Sequence, residues 1–379
     1  MSTLTSPMPM SLSPESAPEA ATGFDAAPQR LLGPADDPIA FYAIGGERFF
    51  VVEPPTGPAR ANIILSHGLT EHAGRHFQTA RWLAGLGCRT ILLDLAGHGG
   101  YDPPADQTWP VYEALAGDGS SAGALARLKA VLDGGRVKAD FTEIQFDTLA
   151  RTAFETHFRQ LDRLLQAIQD SRLAGPPLLL FGHSMGGLLC SETAWRWSRR
   201  GVDLAGVVLS SPAFRPQGRP DQWLENRLID RVWQERAESF APLRALVKGA
   251  LRFNVPYDTT WSAPWISDLE IERELYRLDP LVPHQGPSSY ASSIEDQMVR
   301  TVGRAEPFPV DALMLLPGED GVTSVQGGLD FAAAMRAASG ADRFSLLHYK
   351  EICAHDLLRS SVGAQARQST AAWLEDRLL

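Results

Sequence analysis

The pentapeptide Gly182-His183-Ser184-Met185-Gly186 follows an apolar run, Leu178 to Phe181, and opens a stretch of helical character. A serine held on a sharp strand-to-helix turn presents its hydroxyl for attack, and the flanking glycines keep the turn free of clashing side chains. That hydroxyl is a weak nucleophile until a base takes its proton, and the base needs an acid to orient it. For such a turn the chain order is serine, acid, histidine. Three histidines lie downstream of Ser184: His284, His348 and His355. His284 falls in a long insertion and His348 inside a strand pattern. His355 sits just past the last strand, at the head of the C-terminal helical stretch, and is the expected base. The acid is expected at another strand end, in Pro317-Gly318-Glu319-Asp320-Gly321-Val322. Asp320 is preferred because Gly321-Val322 leads on into helix, with Glu319 as the alternative. The strand before it ends in Ser210-Ser211-Pro212 and offers no carboxylate. Charge developing on an acyl oxygen needs backbone donors. The predicted donors are the N–H groups of Met185 and of Leu69, the latter in Ser66-His67-Gly68-Leu69 at the end of an earlier strand.

The remaining histidines are weaker candidates. His98, in Asp94-Leu95-Ala96-Gly97-His98-Gly99, precedes the nucleophile and is read as structural. His72 and His76 have a metal-type spacing, but Gly74 interrupts them and the glutamate of a HExxH site is missing. No metal and no cofactor are expected.

Positioning these groups requires a sheet. Ile39–Ile44 and Glu47–Val52 read as two strands around the Gly45-Gly46 turn. Compact apolar runs then alternate with helical stretches: Ala61–Ser66, helix from Ala73 to Leu86, and Arg89–Asp94. Later come helix through Phe154, Phe158, Leu161, Leu165 and Ile168, strand Pro177–Phe181, helix Ser184–Arg199 and strand Leu204–Ser210. Ala312–Leu316, Val325–Ala338 and Arg343–Tyr349 repeat the strand, helix, strand order, and His355–Leu379 reads as mostly helix. Such alternation means a mostly parallel sheet covered by helices on both faces, with ligands bound beyond the strand C-termini. Two segments break the pattern. Residues 103–146 are punctuated by Pro and Gly, with one helix expected at Ala124–Leu132. Residues 215–308 are long and helical, with apolar positions such as Trp223, Trp233, Phe240 and Leu246, and read as a cap over the site. The expected organisation is a disordered or loosely attached Ser/Pro/Ala-rich leader (1–37), a core (38–214, with the 103–146 insertion), the cap (215–308) and the rest of the core (309–379).

Composition removes several function classes. The 379 residues carry 35 Lys+Arg against 45 Asp+Glu, a net charge of -10, which opposes binding to a phosphate backbone. No apolar run nears the roughly 20 residues of a membrane span. Cys88, Cys190 and Cys353 are too scattered for a disulfide framework or a CxxC site. The N-terminal stretch carries no Lys, has Arg30 as its first basic residue and lacks the apolar core of a secretory signal, so a cytoplasmic location is expected.

Jointly, the motifs resemble the monoacylglycerol lipase and lysophospholipase branch of the α/β-hydrolases, also described as serine-aminopeptidase-like. Ser66 to His76 is similar to that branch's HGxxEHxxRY segment and Asp94 to Gly99 to its DxxGHG turn. Gly182 to Gly186 matches its GHSMG elbow, Leu278-Asp279-Pro280-Leu281 a DPL motif late in its cap, and His355 to Leu358 its closing HE-L-L. The matches run in family order from Ser66 to Leu358. The departures are a shorter acid turn at Gly318–Val322, His76 in place of the usual Tyr, and longer segments at 103–146 and 215–255.

The resemblance implies an α/β-hydrolase fold with a helical cap inserted between two late strands. It also implies a serine carboxyl-ester hydrolase acting on a small-molecule or lipid ester through an acyl-enzyme. Ser184 would be the nucleophile, His355 the base, Asp320 the acid, and Leu69 and Met185 the oxyanion donors. A peripheral membrane contact through the cap is compatible with this reading; nucleic acid is not an expected partner. The same triad serves thioesterases, acyltransferases and amide-cleaving peptidases, and the fold also occurs in non-catalytic ligand-binding proteins. Acyl length, head group and oligomeric state are not legible in the sequence.

Overall fold

The computed structural model describes residues 23–217 and 254–378. Its main sheet has nine strands: β1 (Arg30–Leu32), β2 (Ile39–Ile44), β3 (Glu47–Val52), β4 (Ala61–Ser66), β5 (Cys88–Leu93), β6 (Leu178–His183), β7 (Gly206–Ser210), β10 (Ala312–Glu319) and β11 (Phe344–Cys353). The spatial order is β1-β2-β3-β5-β4-β6-β7-β10-β11. The β1-β2-β3-β5 pairings are antiparallel, and every pairing from β5 to β11 is parallel. The hairpin joining β2 and β3 turns through Gly45 and Gly46 at φ 58 and 85, a conformation glycine adopts without penalty.

Residues of the parallel strands alternate between two cores. In β4, Ile64 packs on one face while Ile63 and Leu65 pack on the other. Helix α5 (Phe154–Gln169) covers the first face with Phe158, Leu161 and Leu165, and α6 (Met185–Arg199) adds Leu188 and Leu189. Helix α1 (Phe77–Gly85) covers the second with Phe77, Ala80 and Leu83. Strands buried on both faces need no polar alternation, which is why they read as continuous apolar runs. β4 and β6 are neighbours, but β4 leads outward to β5 while β6 leads the other way to β7. The chain direction therefore divides between β4 and β6, where open α/β sheets leave a crevice at the strand C-termini.

Three expectations need correcting. Residues 1–22 of the expected leader lie outside the described residues, but from Gly23 onward the chain is docked. Phe24 is buried against Tyr42 and Phe49, at ring-centroid distances of 5.2 and 5.7 Å, and β1 pairs with β2. One buried ring and a three-residue strand are too short to show a period. Second, the 103–146 stretch holds helix in place of mostly loop: α2 (Ala105–Ala116), α3 (Ser121–Asp133) and the start of α4 (Thr142–Leu149). Pro110 lies inside α2 and conceals it from sequence reading, since interior proline costs a hydrogen bond. Burial of Val111, Tyr112 and Leu115 offsets that cost. Third, His355 does not open the C-terminal helix. A 3-10 turn (Leu357–Arg359) intervenes, and α10 starts only at Gly363 (Gly363–Leu378).

Between β7 and β10 the described residues from 254 form β8 (Pro256–Asp258), a 3-10 helix (Thr260–Trp265), α7 (Glu270–Leu278), β9 (Gln285–Pro287) and α8 (Ser288–Val302), with β8 and β9 paired antiparallel. The apolar positions Trp223, Trp233, Phe240 and Leu246 fall outside the described residues. α9 (Val325–Ser339) connects β10 to β11. Among the described residues, no helix is long and apolar enough to cross a membrane.

Candidate active site

Ser184 stands between β6 and α6 with φ 54 and ψ -120, a left-handed conformation costly for a residue with a Cβ. The strain is held by close packing. A Cβ on Gly182 would lie 2.3 Å from Gly186 O, and one on Gly186 would lie 2.2 Å from Ser66 O. Only glycine lets this turn press onto the end of β4. Hydrogen bonds from Ser184 N to Ser210 O (2.9 Å) and from Ala213 N to Ser184 O (3.0 Å) fix the turn against the end of β7.

Strand β10 ends in a register shift between Pro317 and Glu319, and Gly318 there packs so closely that a Cβ would lie 1.9 Å from Lys350 O. The turn beyond it carries Asp320. Its Oδ2 accepts from His355 Nδ1 at 2.7 Å and from Thr323 Oγ1 at 2.9 Å, while Oδ1 accepts from the amides of Val322 (2.7 Å) and Thr323 (3.2 Å). Glu319, the alternative acid, is exposed. Burial opposes ionisation of Asp320, but His355 and the two amides outweigh it and hold the carboxyl below its usual range. Burial likewise opposes charge on His355, and Asp320 outweighs it, raising the imidazole above its ordinary value. The Nδ1 proton is committed to Asp320, which leaves Nε2 as the basic nitrogen.

Ser184 and His355 line one narrow cavity, of about 50 Å³, together with Leu69 and Glu71 from the β4 side, and Tyr257, Trp261 and Ile266 from the segment before β10. The amides of Leu69 and Met185 donate to no other group among the described residues. The structure thus brings Ser184, His355, Asp320 and the Leu69 and Met185 turns to one end of the sheet. His98 lies apart from it, buried, its imidazole pushed down to about 3 by burial and by His157.

Several residues around the site were not assigned from sequence. The β4 loop turns through Thr70 at φ 56, whose hydroxyl lies 2.6 Å from Tyr276 OH on α7. His67 Nδ1 lies 2.8 Å from Gly68 O while its Nε2 accepts from Leu95 N (3.0 Å), tying the ends of β4 and β5 together. His72 and His76, the metal-type pair, diverge: His72 pairs with Asp279 (2.8 Å) and His76 with Glu71 (3.2 Å). The loop carrying His355 is fastened to the segment before α7. His355 N and Asp356 N donate to Trp265 O and Ile266 O, both at 2.8 Å, Ser267 Oγ to Arg359 O at 2.6 Å, and Arg359 pairs with Glu272. The signal was available in part, since Glu71 and Asp279 belong to the quoted motifs, but pairing across two hundred positions has no local signature.

Glu71, His183 and Asp356 bring ligand-type atoms within 4.8 Å of one another, all buried. Arg75 lies 3.6 Å from Glu71 Oε1, and Arg359, ion-paired with Glu272, also feels the Asp356 charge.

A profile of the Hydrolase_4 family, described as serine aminopeptidase S33, matches residues 57–128 and 149–360. The chain belongs to the serine aminopeptidase S33 family. Human monoglyceride lipase is 25% identical to it over 232 residues, which is 61% of this chain and 55% of the human protein. The mouse monoglyceride lipase is 24% identical over 234 residues, again 55% of its length, so the match spans just over half of these relatives. Among solved structures, a monoacylglycerol lipase from Paleococcus ferrophilus superposes with a TM-score of 0.59 at 20% identity, covering 87% of this chain and 99% of that one. A soluble variant of the Saccharomyces cerevisiae monoglyceride lipase, in complex with a substrate analogue, gives 0.61 at 15% identity, covering 90% and 95%. These likenesses show that the S33 chain has the α/β-hydrolase fold.

Proposed function

We propose that this S33-family protein hydrolyses carboxylic esters of lipid-like substrates, of the monoacylglycerol or lysophospholipid type, through an acyl-enzyme. The observation that carries the reading is the buried Asp320–His355 pair, whose His355 shares a cavity with Ser184 on its strained turn. Ser184 Oγ attacks the acyl carbonyl as His355 Nε2 takes its proton. The carbonyl oxygen becomes an oxyanion, held by the Leu69 and Met185 amides. Collapse breaks the ester C–O bond, and His355 returns the proton to the leaving alcohol. Water, deprotonated by His355, then attacks the acyl carbon and frees the acid and Ser184. The cycle uses neither metal nor cofactor.

The apolar side chains of Leu69, Trp261, Ile266 and Val322 in the cavity suit an acyl chain, and the names of the relatives point to monoglycerides. Residues 215–308 act as the cap in this reading, with a peripheral membrane contact through it and a cytoplasmic location. The test is hydrolysis of nitrophenyl esters from acetyl to palmitoyl beside monoacylglycerols and a lysophospholipid, with Ser184→Ala as blank. A Ser184-dependent optimum at medium or long chains is expected, with Ser184→Ala at least about a thousandfold slower. Turnover that survives in Ser184→Ala, or confined to thioesters or amides, would overturn the proposal.

A further inference from the structure

Among the groups around the cavity, Glu71 has no step in the mechanism above, yet its carboxylate is buried in the loop that carries a proposed oxyanion donor. It is 1% exposed and lines the same cavity as Ser184 and His355. Oε2 accepts the Gly68 amide at 3.0 Å and faces His76 Nε2 at 3.2 Å and His183 Nε2 at 3.7 Å, while Oε1 lies 3.6 Å from Arg75 Nε. A Cβ built on Gly68 would meet Glu71 Oε2 and Ser184 Cβ, each at 2.9 Å. Gly68 thus packs against both the carboxylate and the nucleophile, and its backbone is pinned from the carboxylate side.

The consequence concerns peptide planes. With its N–H committed to Glu71 and its carbonyl 2.8 Å from His67 Nδ1, Gly68 has both of its peptide groups held, and the second of them contains the Leu69 N–H. That N–H is left without a partner among the described residues, at the rim of the cavity. Without the carboxylate the Gly68 amide would itself be an orphaned buried donor, free to rotate in competition for the same site. A second tie holds the far side of the same loop, where Thr70 Oγ1 lies 2.6 Å from Leu69 O as well as from Tyr276 OH.

We propose that Glu71 is a positioning residue that sets the oxyanion loop, holding the Gly68 amide so that the Leu69 N–H faces the acyl oxygen. The inference rests on the reading of Leu69 as an oxyanion donor and of Ser184 as nucleophile. Glu71 touches no reacting atom; it acts through Gly68. Its anionic charge has a second effect, because Asp320, Glu71 and Asp356 are the carboxylates that favour the charged form of His355, against burial and His183. Burial would raise the Glu71 carboxyl itself, but His183, His76 and Arg75 outweigh it and keep the group ionised.

Two variants separate position from charge. Glu71→Gln keeps the shape and removes the charge. Glu71→Asp keeps the charge and withdraws the carboxylate by about one C–C bond, ~1.5 Å, from the Gly68 amide. Each is measured on full-length protein with p-nitrophenyl butyrate and with an alkyl trifluoromethyl ketone, whose hemiketal with Ser184 needs the same oxyanion donors. Loss of an oxyanion donor costs about 100- to 1000-fold, so its misalignment in Glu71→Asp is expected to lower kcat by about 10- to 100-fold. KM should stay within twofold, and ketone affinity should fall in parallel with kcat/KM. Glu71→Gln is expected to lower kcat and also to move the acid limb of the kcat/KM profile to lower pH, whereas Glu71→Asp leaves the limb in place. If Glu71→Gln does not fold, Glu71→Asp alone decides. A Ser184-dependent activity with kcat within twofold of wild type in the folded Glu71 variants would overturn the role of Glu71 and leave the proposed function standing. Activity that persists in Ser184→Ala would overturn both.

Discussion

Asp320 Oδ2 and His355 Nδ1 lie 2.7 Å apart although the residues belong to different strand ends, Asp320 following β10 and His355 following β11. Parallel pairing of these two strands sets the distance between the turns, and the register shift at Pro317–Glu319 turns the acid toward the base. Asp320→Asn should therefore keep the fold and lower kcat by about 10,000-fold, the size of effect seen when a triad acid is replaced by its amide. Glu319→Gln, on the exposed neighbour, should leave kcat within about twofold. Steady-state kinetics on the two variants checks the assignment, and a reversed pattern would make Glu319 the acid.

The pH dependence follows from the same pair. Burial alone would favour the neutral imidazole, but Asp320 favours the charged one and prevails, so His355 holds its proton above the ordinary value of 6.5. The base must be unprotonated to act. Activity is therefore expected to rise with pH through a midpoint above 6.5 and to be lost below it. In Asp320→Asn the residual activity should show that limb at lower pH, because the dominant opposing charge is gone. A kcat/KM profile from pH 4 to 10 reads both.

Packing of the nucleophile turn predicts its intolerance of the smallest side chain. Gly186→Ala would drive a methyl group to 2.2 Å from Ser66 O, and neither backbone can move without disturbing β4 or β6. Overpacking costs typically 1–3 kcal/mol and more against rigid backbone. A fall in Tm with loss of activity is expected from thermal melts and kinetics together. Gly201→Ala, at a position with open space but φ 77, is the control for backbone strain without a clash.

Arg359 and Glu272 form a buried ion pair linking the base loop to α7, and Arg359 NH1 also donates to Arg75 O at 2.7 Å. Removing one partner strands the other charge in the interior, which costs about 3–5 kcal/mol. Arg359→Met is expected to destabilise by that order, and adding Glu272→Met should recover part of the loss in urea melts. A double variant less stable than the single one would mean that Glu272 is held by groups other than Arg359.

Much of the sheet was legible because its strands are buried on both faces. Ile39–Ile44, Glu47–Val52 and Ala61–Ser66 appear with the same ends in the structure, bounded by the Gly45-Gly46 turn and by polar segments. The elements that escaped reading owe their form to tertiary contact. β1 exists by pairing to β2, and α2 forms despite Pro110 because Tyr112 and Leu115 are buried. The site divides in the same way. Ser184, Asp320 and His355 each follow a strand, and the sequence offers them as candidates there, with Glu319 as the alternative acid. Glu71 and Arg75 pair locally at i,i+4, but Arg359 joins them only because β4 and β11 end on the same edge, and charged residues in a loop read first as solvated.

The fastening of the base loop to Trp265 and Ile266 bears on how far this chain can be simplified. The two carbonyls that receive the His355 and Asp356 amides come from ninety positions upstream. A shortened protein in which β7 ran directly into β10 would keep all nine strands of the main sheet and Ser184, Asp320 and His355, yet would leave those amides without acceptors. The described part of the insertion is in this respect a wall of the candidate site, and a minimal protein carved from this scaffold must retain the stretch from 256 to 278. Contacts of such sequence separation also form late for entropic reasons, so a refolding chain should regain its helical signal before the Ser184-dependent turnover proposed for it.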